Sequence, residues 1–344
     1  MVVLGISAYY HDSAAALIVD GKVTAAICEE RLSRIKHDKS FPKRAIVFCV
    51  EYSGIAYTDI DYVVFYEKPL RKFERILTTH IFHAPKGFKT FVKAMPIWLK
   101  ERLNIKPTIM KSLNELCHCK INWDIRFVEH HLSHAAMAYF TSPFENAAVL
   151  VVDAVGENAT TSLFKASGYK IESIKQQSFP NSVGLLYSAF TYFLGFQVNS
   201  DEYKVMGLAP YGNIGAKQTQ RFINIIKTKL VSIGDDGSII INQKYFTFMV
   251  GQRMVDDHMW TKLFGIAKRE TNAPIRTEHK NLAIAIQNVI EEIFLKLATH
   301  IKSLTQCNNL CISGGCALNC SAMGKIKGSG LFSNVFVPFA PGDD

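Results

Sequence analysis

Two histidines and two aspartates are placed along this chain where a fold could bring them to one metal ion. His130-His131-Leu132-Ser133-His134 carries imidazoles four residues apart. In a helix, His130 and His134 lie on one face, one turn apart, and can grip a single cation. Asp153 follows Ala147-Ala148-Val149-Leu150-Val151-Val152, a run apolar enough for a strand buried on both faces. A carboxylate at the C-terminal end of such a strand sits where ligands bind in open α/β sheets. Pro341-Gly342-Asp343-Asp344 offers a further carboxylate on a turn. Two histidines with two aspartates suit Fe(II), Mn(II) or Zn(II).

Other segments have the residue types of a phosphate or nucleoside site. Gly5-Ile6-Ser7-Ala8-Tyr9-Tyr10-His11-Asp12-Ser13 is a polar loop between two apolar strands, and the segment from Asp153 to Ser162 repeats its form. Small residues and hydroxyls let backbone N–H groups approach phosphate. Either loop alone reads as an ordinary hairpin; their matching placement strengthens the functional reading. Ser313-Gly314-Gly315-Cys316-Ala317-Leu318-Asn319 reads as strand, turn and helix, with glycines that let the backbone touch a nucleoside. Asp201 to Gly212 is dense in Gly and Pro, with Asp201 and Lys204 available for ribose and phosphate. Glu30 to Asp38 is either a charged surface loop or a cationic lip, where Lys36 or His37 would stabilise charge at a reacting carbonyl.

The elements that must hold these residues follow from local pattern. Val2–Ser7, Ala14–Val19 and Val23–Glu29 read as strands, with Asp20-Gly21 as a type I′ hairpin turn. A helix over Phe41–Tyr52 starts at Pro42, and Tyr62–Tyr66 is a strand. Residues 68–120 are basic and aromatic and read as a helical insertion. Arg126–Val128 leads into a helix over His131–Phe140. Ala147–Asp153, Thr160–Lys165 and Tyr169–Gln177 are strands, with Gly168 in the last turn. Helices are expected at Gly184–Leu194, Ala216–Val231, Lys280–Thr305 and Ala317–Ile326, a loop at Gly207–Gly212, and strands at Leu310–Ser313 and Val335–Pro338. Strands then helices, twice over, predict an α/β fold: a duplicated actin-like architecture of two subdomains, 1–140 and 141–344, with a ligand cleft between them.

The bulk properties agree with a globular enzyme. The 344 residues are 48% hydrophobic and 20% charged. No apolar stretch approaches the ~18–20 residues of a membrane span. Met1–Ser7 lacks a basic n-region and reads as a first strand rather than a signal peptide, which points to the cytoplasm. The eight cysteines are therefore expected as reduced thiols; Cys117-His118-Cys119 does not converge readily on one metal. The net charge of +9 favours anionic partners, and many basic residues, among them Lys68, Arg71, Lys72, Arg75, Lys100, Arg102 and Lys106, fall in the 68–120 segment. A solvated helical face is the plain reading of that cluster; a surface for a phosphorylated acceptor is the sharper one. No nucleic-acid-binding motif accompanies it.

As an ordered set, these motifs resemble the NodU/CmcH carbamoyltransferases. The resemblance runs from Gly5 to Asp344, through His11-Asp12-Ser13, Glu29-Glu30-Arg31, Lys36-His37, the His130–His134 segment, Asp153-Ala154-Val155-Gly156-Glu157, Tyr203 to Gly212 and Ser313 to Asn319. It implies a Kae1-like fold of the ASKHA (actin-like, RNase H-like) superfamily. It implies iron bound by His130, His134, Asp153 and Asp343, a nucleotide site drawing on Asp153, Gly156, Asp201, Gly212, Gly314, Gly315 and Asn319, and ATP-derived carbamoyl-adenylate as substrate. An acceptor hydroxyl would take the carbamoyl group and AMP would leave. Lys36 matches a lysine near the carbamoyl group, His11 is a reasonable general base, and Asp12 and His37 fall near the acceptor. Family members continue into a YrdC-like domain that makes carbamoyl-adenylate, so the chain is expected to be a piece of a longer protein, with Asp343 at a frayed terminus. A homodimer is compatible with the sequence. Threonylcarbamoyl transfer to tRNA and a non-catalytic nucleotide-binding module are the competing readings.

Overall fold

The structure, a computed structural model, describes residues 1–98 and 104–343; Lys100, Arg102 and Asp344 lie outside the described residues. Strands β1 (Val2–Ser7), β2 (Ala14–Val19) and β3 (Lys22–Cys28) form an antiparallel meander. Asp20 and Gly21 both have positive φ (49° and 80°), the geometry a type I′ turn demands. On the other side of β1, β4 (Tyr62–Phe65) and β5 (Ile125–Phe127) add in parallel, giving the order β3-β2-β1-β4-β5.

The second sheet repeats this plan. β6 (Asn146–Val152), β7 (Ala159–Ser167) and β8 (Lys170–Ser178) form a meander. A hairpin of β9 (Val231–Ile233) and β10 (Ile239–Ile241), too short to stand out in the sequence, intervenes. Then β11 (Asn309–Ser313) pairs parallel to β6 and β12 (Asn334–Phe336) parallel to β11, giving β12-β11-β6-β7-β8. The two sheets thus share one topology, and this duplicated RNase H-like plan is the actin-like fold the sequence predicts.

Twelve α-helices cover the sheets among the described residues: α1 (Glu29–Ser33), α2 (Lys43–Ser53), α3 (Pro69–Phe82), α4 (Phe88–Ile97), α5 (Ile105–Cys117), α6 (His130–Phe140), α7 (Val183–Phe193), α8 (Glu202–Leu208), α9 (Lys217–Ile225), α10 (Asp257–Phe264), α11 (Thr277–Thr305) and α12 (Cys320–Gly328). The run of β6 is apolar throughout because each face meets its own core. Ala148, Leu150 and Val152 pack with α7 and α11, while Ala147, Val149 and Val151 pack under α6 with Ala135 and Ala138.

Several local expectations are corrected. The segment after β3 opens as the short helix α1, not a loop. Residues 207–211 are helical too, and only Gly212 is extended: α8 runs into a 3-10 turn, Ala209–Tyr211, where Pro210 fits because the first N–H groups of a helix need no partner. The helix expected over 216–231 leaves α geometry at Ile225 and ends in a π turn, Ile226–Leu230. The helix expected from Ala317 begins as a 3-10 turn, and α12 starts at Cys320. Within the 68–120 segment, α5 buries Ile105, Ile109 and Leu113 in the first core, so it serves as crossover helix between parallel strands β4 and β5. Cys117 and Cys119 form a disulfide rather than free thiols, because His118 caps α5 in a left-handed conformation that turns the two residues toward each other.

Candidate metal centre

β1 and β6 are the middle strands of their sheets, and the loops leaving their C-terminal ends carry the chemistry. After β6, the Asp153 N–H donates to the Thr160 carbonyl (2.9 Å), so the loop stays closed over the strand end. α6 begins at His130, whose N–H donates to the Glu157 carboxylate at 3.0 and 3.1 Å. Glu157 thereby satisfies an orphan donor of the first helical turn and places negative charge at the positive end of the helix. The same carboxylate accepts the Lys68 N–H at 2.8 Å.

With the helix so anchored, His130 Nε2 lies 3.1 Å from Asp153 Oδ2, 3.1 Å from His134 Nε2 and 3.4 Å from Asp343 Oδ1. His134 Nε2 is 3.2 Å from the same Asp343 oxygen. One ligand atom from each of the four residues falls within 4.8 Å of all the others, and the group is almost wholly shielded from solvent. Burial opposes charge on His130, but the Asp343 carboxylate and the hydrogen bond to Asp153 outweigh it and raise its pKa well above the usual imidazole value. Burial likewise opposes ionisation of Asp343, and His130 overcomes it, holding that carboxyl well below its usual range. Two imidazole nitrogens turned toward each other and toward two carboxylates fit a divalent cation, and an N2O2 set suits Fe(II), Mn(II) or Zn(II).

The terminal turn is not frayed. Ser7 Oγ, at the end of β1, donates to the Asp343 carbonyl (2.6 Å). Gly314 N and Ser313 Oγ, at the end of β11, donate to the Pro341 carbonyl at 2.8 and 3.2 Å. Asp343 is therefore clamped between the two sheets. Gly314 has φ +89° and ψ 157°, and a Cβ there would overlap the Val152 carbonyl oxygen. At Gly156 a Cβ would lie 2.8 Å from the His130 ring, so the loop can close on the imidazole only without a side chain. Gly315 N donates to Asp153 Oδ1 at 3.3 Å.

Beside this cluster lies a second one from the first half. Asp12 bridges two imidazoles, Oδ2 to His11 Nδ1 at 2.9 Å and Oδ1 to His37 Nδ1 at 2.8 Å. His11 Nε2 points toward Asp343 Oδ2 at 3.7 Å. Burial disfavours the charged His11, yet Asp12 and Asp343 raise its pKa above the usual value. The Glu30 carboxylate takes the His37 N–H (2.9 Å), and Asp12, Glu30 and His37 are themselves close enough to hold a cation. Lys36 is exposed, near enough to Asp201 for its charge to act there.

The remaining nucleotide candidates have local partners. Asp201 pairs with Lys204 (2.8 Å), which is thus engaged on the surface. Gly212 packs against the α11 backbone at Lys280, and this approach explains its lack of side chain. Asn319 caps α12 by accepting from Ala322 N (3.1 Å), and its amide pairs reciprocally with Gln287 (2.9 and 3.1 Å). The basic run is split. Lys86, Lys89 and Lys106 face solvent, whereas Lys68 and Arg71 pair with Glu129 and Lys72 with the buried Glu67.

Sequence reasoning missed three positioning groups. Glu157 sits in the Asp153–Glu157 motif, but its role needs α6. His131 has its pKa lowered to about 3, by burial first and by the charge of His130 second; it is neutral and turned to Ser162 Oγ at 2.7 Å. Ser182 caps α7 by accepting from Leu185 N (3.0 Å) and donates to the Ala154 carbonyl (2.6 Å), tying the helix to the Asp153 loop. Ser182→Ala is expected to cost about 1–2 kcal/mol in urea unfolding. Unchanged stability would show the cap to be idle.

An actin-like fold with a His2Asp2 cluster where its two middle strands end is the class of protein these features define. The chain belongs to the carbamoyltransferase family: the model of the carbamoyltransferase N-terminus matches residues 2–344. It is 45% identical over 343 residues to the Synechocystis protein sll1178, covering 99% of this chain and 55% of that one. It is 32% identical over 342 residues to the nodulation protein NolNO of Sinorhizobium fredii, covering 97% of this chain and 45% of that one. The chain therefore spans about half the length of these relatives. Among solved structures it is similar to an activator of 2-hydroxyisocaproyl-CoA dehydratase from Clostridium difficile with bound ADPNP, at 13% identity and TM-score 0.44, covering 99% of this chain and 90% of that one. Among the described residues, no helix is long and apolar enough to cross a membrane.

Proposed function

We propose that this chain transfers a carbamoyl group from carbamoyl-adenylate to a hydroxyl of a small-molecule or glycan acceptor, releasing AMP, in the cytoplasm. The observation that carries this is the Asp12–His11 pair set against Asp343 of the His2Asp2 cluster, in a carbamoyltransferase-family chain. Asp12 accepts at His11 Nδ1 and orients the ring, which directs Nε2 to the reacting centre. The acceptor oxygen forms its bond to the carbamoyl carbon, the bond from that carbon to the phosphate oxygen breaks, and its electron pair leaves with AMP. The hydroxyl proton passes to His11 Nε2.

His37, fixed by Asp12 and Ser200 (3.2 Å), lines the acceptor side, and Lys36 on the exposed lip stabilises charge at the carbamoyl oxygen. On the nucleotide side this reading draws on Gly314 and Gly315, whose lack of side chains leaves the backbone at the end of β11 open to a nucleoside, together with Gly156, Asp201, Gly212 and Asn319. A divalent cation, iron by the family resemblance, held by His130, His134, Asp153 and Asp343, would supply Lewis-acid stabilisation of the leaving phosphate. In this reading a YrdC-like domain makes the donor from ATP and carbamoyl phosphate.

The test supplies carbamoyl-adenylate and a panel of hydroxylated acceptors and follows AMP and acceptor mass together. Carbamoylated product is expected in step with AMP, and His11→Ala is expected to lower kcat by about 10²–10⁴-fold. AMP release with every acceptor unchanged would mean hydrolysis and overturn the reading.

A further inference from the structure

Between α3 and the wall formed by residues 157–159 and 176–180 lies a cavity of about 870 Å³, the size of a small-molecule site. Two of its lining side chains have buried nitrogens without a hydrogen-bond partner among the described residues, Arg75 Nε and His131 Nε2. The Arg75 guanidinium lies over the Phe179 ring, 5.0 Å from its centroid, and has no carboxylate within ion-pair distance among the described residues. The carboxylates whose charge reaches it, Glu67 and Glu157, are committed elsewhere, Glu67 to Lys72 and Glu157 to two backbone N–H groups, and Glu129 on the cavity wall pairs with Lys68 and Arg71. Glu74 stands exposed at the rim.

A guanidinium withdrawn from water without an anion is costly, and its planar fork matches a carboxylate or phosphate. Around it, Asn158, Gln176 and Ser178 present amides and a hydroxyl suited to a polyhydroxylated molecule. Arg75 and Phe179 also line a smaller cavity of about 300 Å³ bounded by Tyr10 and by Ala154 and Val155 of the Asp153 loop. Arg75 thus stands between the large cavity and the reaction centre.

We infer that this cavity binds a polyhydroxylated ligand bearing a carboxylate or phosphate, with the anionic group on Arg75 and the hydroxyls on the polar wall. Naming that ligand the carbamoyl acceptor rests on the transfer reading; the anion site does not.

Calorimetric titration of the full chain compares galacturonate with galactose, and glucose 6-phosphate with glucose. The charged member of one pair is expected to bind at least tenfold more tightly than its neutral partner, the first pair marking a carboxylate ligand and the second a phosphate. Arg75→Gln is expected to erase the difference and Arg75→Lys to keep part of it. Equal binding within both pairs, no binding by any probe, or full discrimination by a folded Arg75→Gln protein overturns the inference. Should Arg75→Gln fail to fold, Ser178→Trp fills the cavity from the exposed end of β8; binding that survives it also overturns the inference. The titration reads no transfer, so the transfer reading stands or falls separately.

Discussion

Replacing His130 and His134 together by alanine is expected to weaken divalent-metal binding by well over about 100-fold. Even an outer partner of a metal ligand is worth about 10–100-fold in affinity, and this change deletes two direct donors of four. The effect is large because the site is rigid: Glu157 pins the start of α6, Gly156 backs the His130 ring, and Ser7 with Gly314 holds the Asp343 turn. Metal content after dialysis against Fe(II), Mn(II) or Zn(II) checks it. His131 is the internal control, since it belongs to the same motif but faces Ser162, so His131→Gln should keep the metal. Undiminished metal in the double variant would remove the metal reading altogether.

The second large effect is expected at Gly314. Alanine there must adopt φ and ψ that only glycine takes readily, a cost of about 1–3 kcal/mol, and its Cβ must also displace the Val152 carbonyl at the end of the central strand. We expect Gly314→Ala to lower the unfolding free energy by about 3 kcal/mol or more on those two grounds. Gly330 separates them. It too has positive φ (72°), but a Cβ there meets nothing within 4 Å, so Gly330→Ala should cost only about 1–2 kcal/mol. Urea unfolding of both variants decides the matter, and equal losses would show that the Val152 contact is without weight. Because Gly314 N also holds the Pro341 carbonyl, its substitution should loosen Asp343 and lower metal affinity as well.

What could be read from the sequence alone was what depends on near neighbours. The four-residue interval between His130 and His134 needs only a helix to bring the imidazoles together. The apolar run before Asp153 needs only a strand, and Asp20-Gly21 specifies its turn by the φ values it tolerates. The matching order of strands and turns in the two halves was legible for the same reason, and it led to the duplicated fold. Tertiary structure alone decided how Asp343 reaches the histidines, through bonds from Ser7 and Gly314, which come from different sheets. It also decided that Glu157 caps a helix begun 27 residues earlier, and that Arg75 turns inward while Lys86 and Lys89 remain in water. Periodicity records which face of an element is buried, but it says nothing about which distant element comes to lie against that face. That choice belongs to packing and to the pairing of buried polar groups, whose partners are remote in sequence.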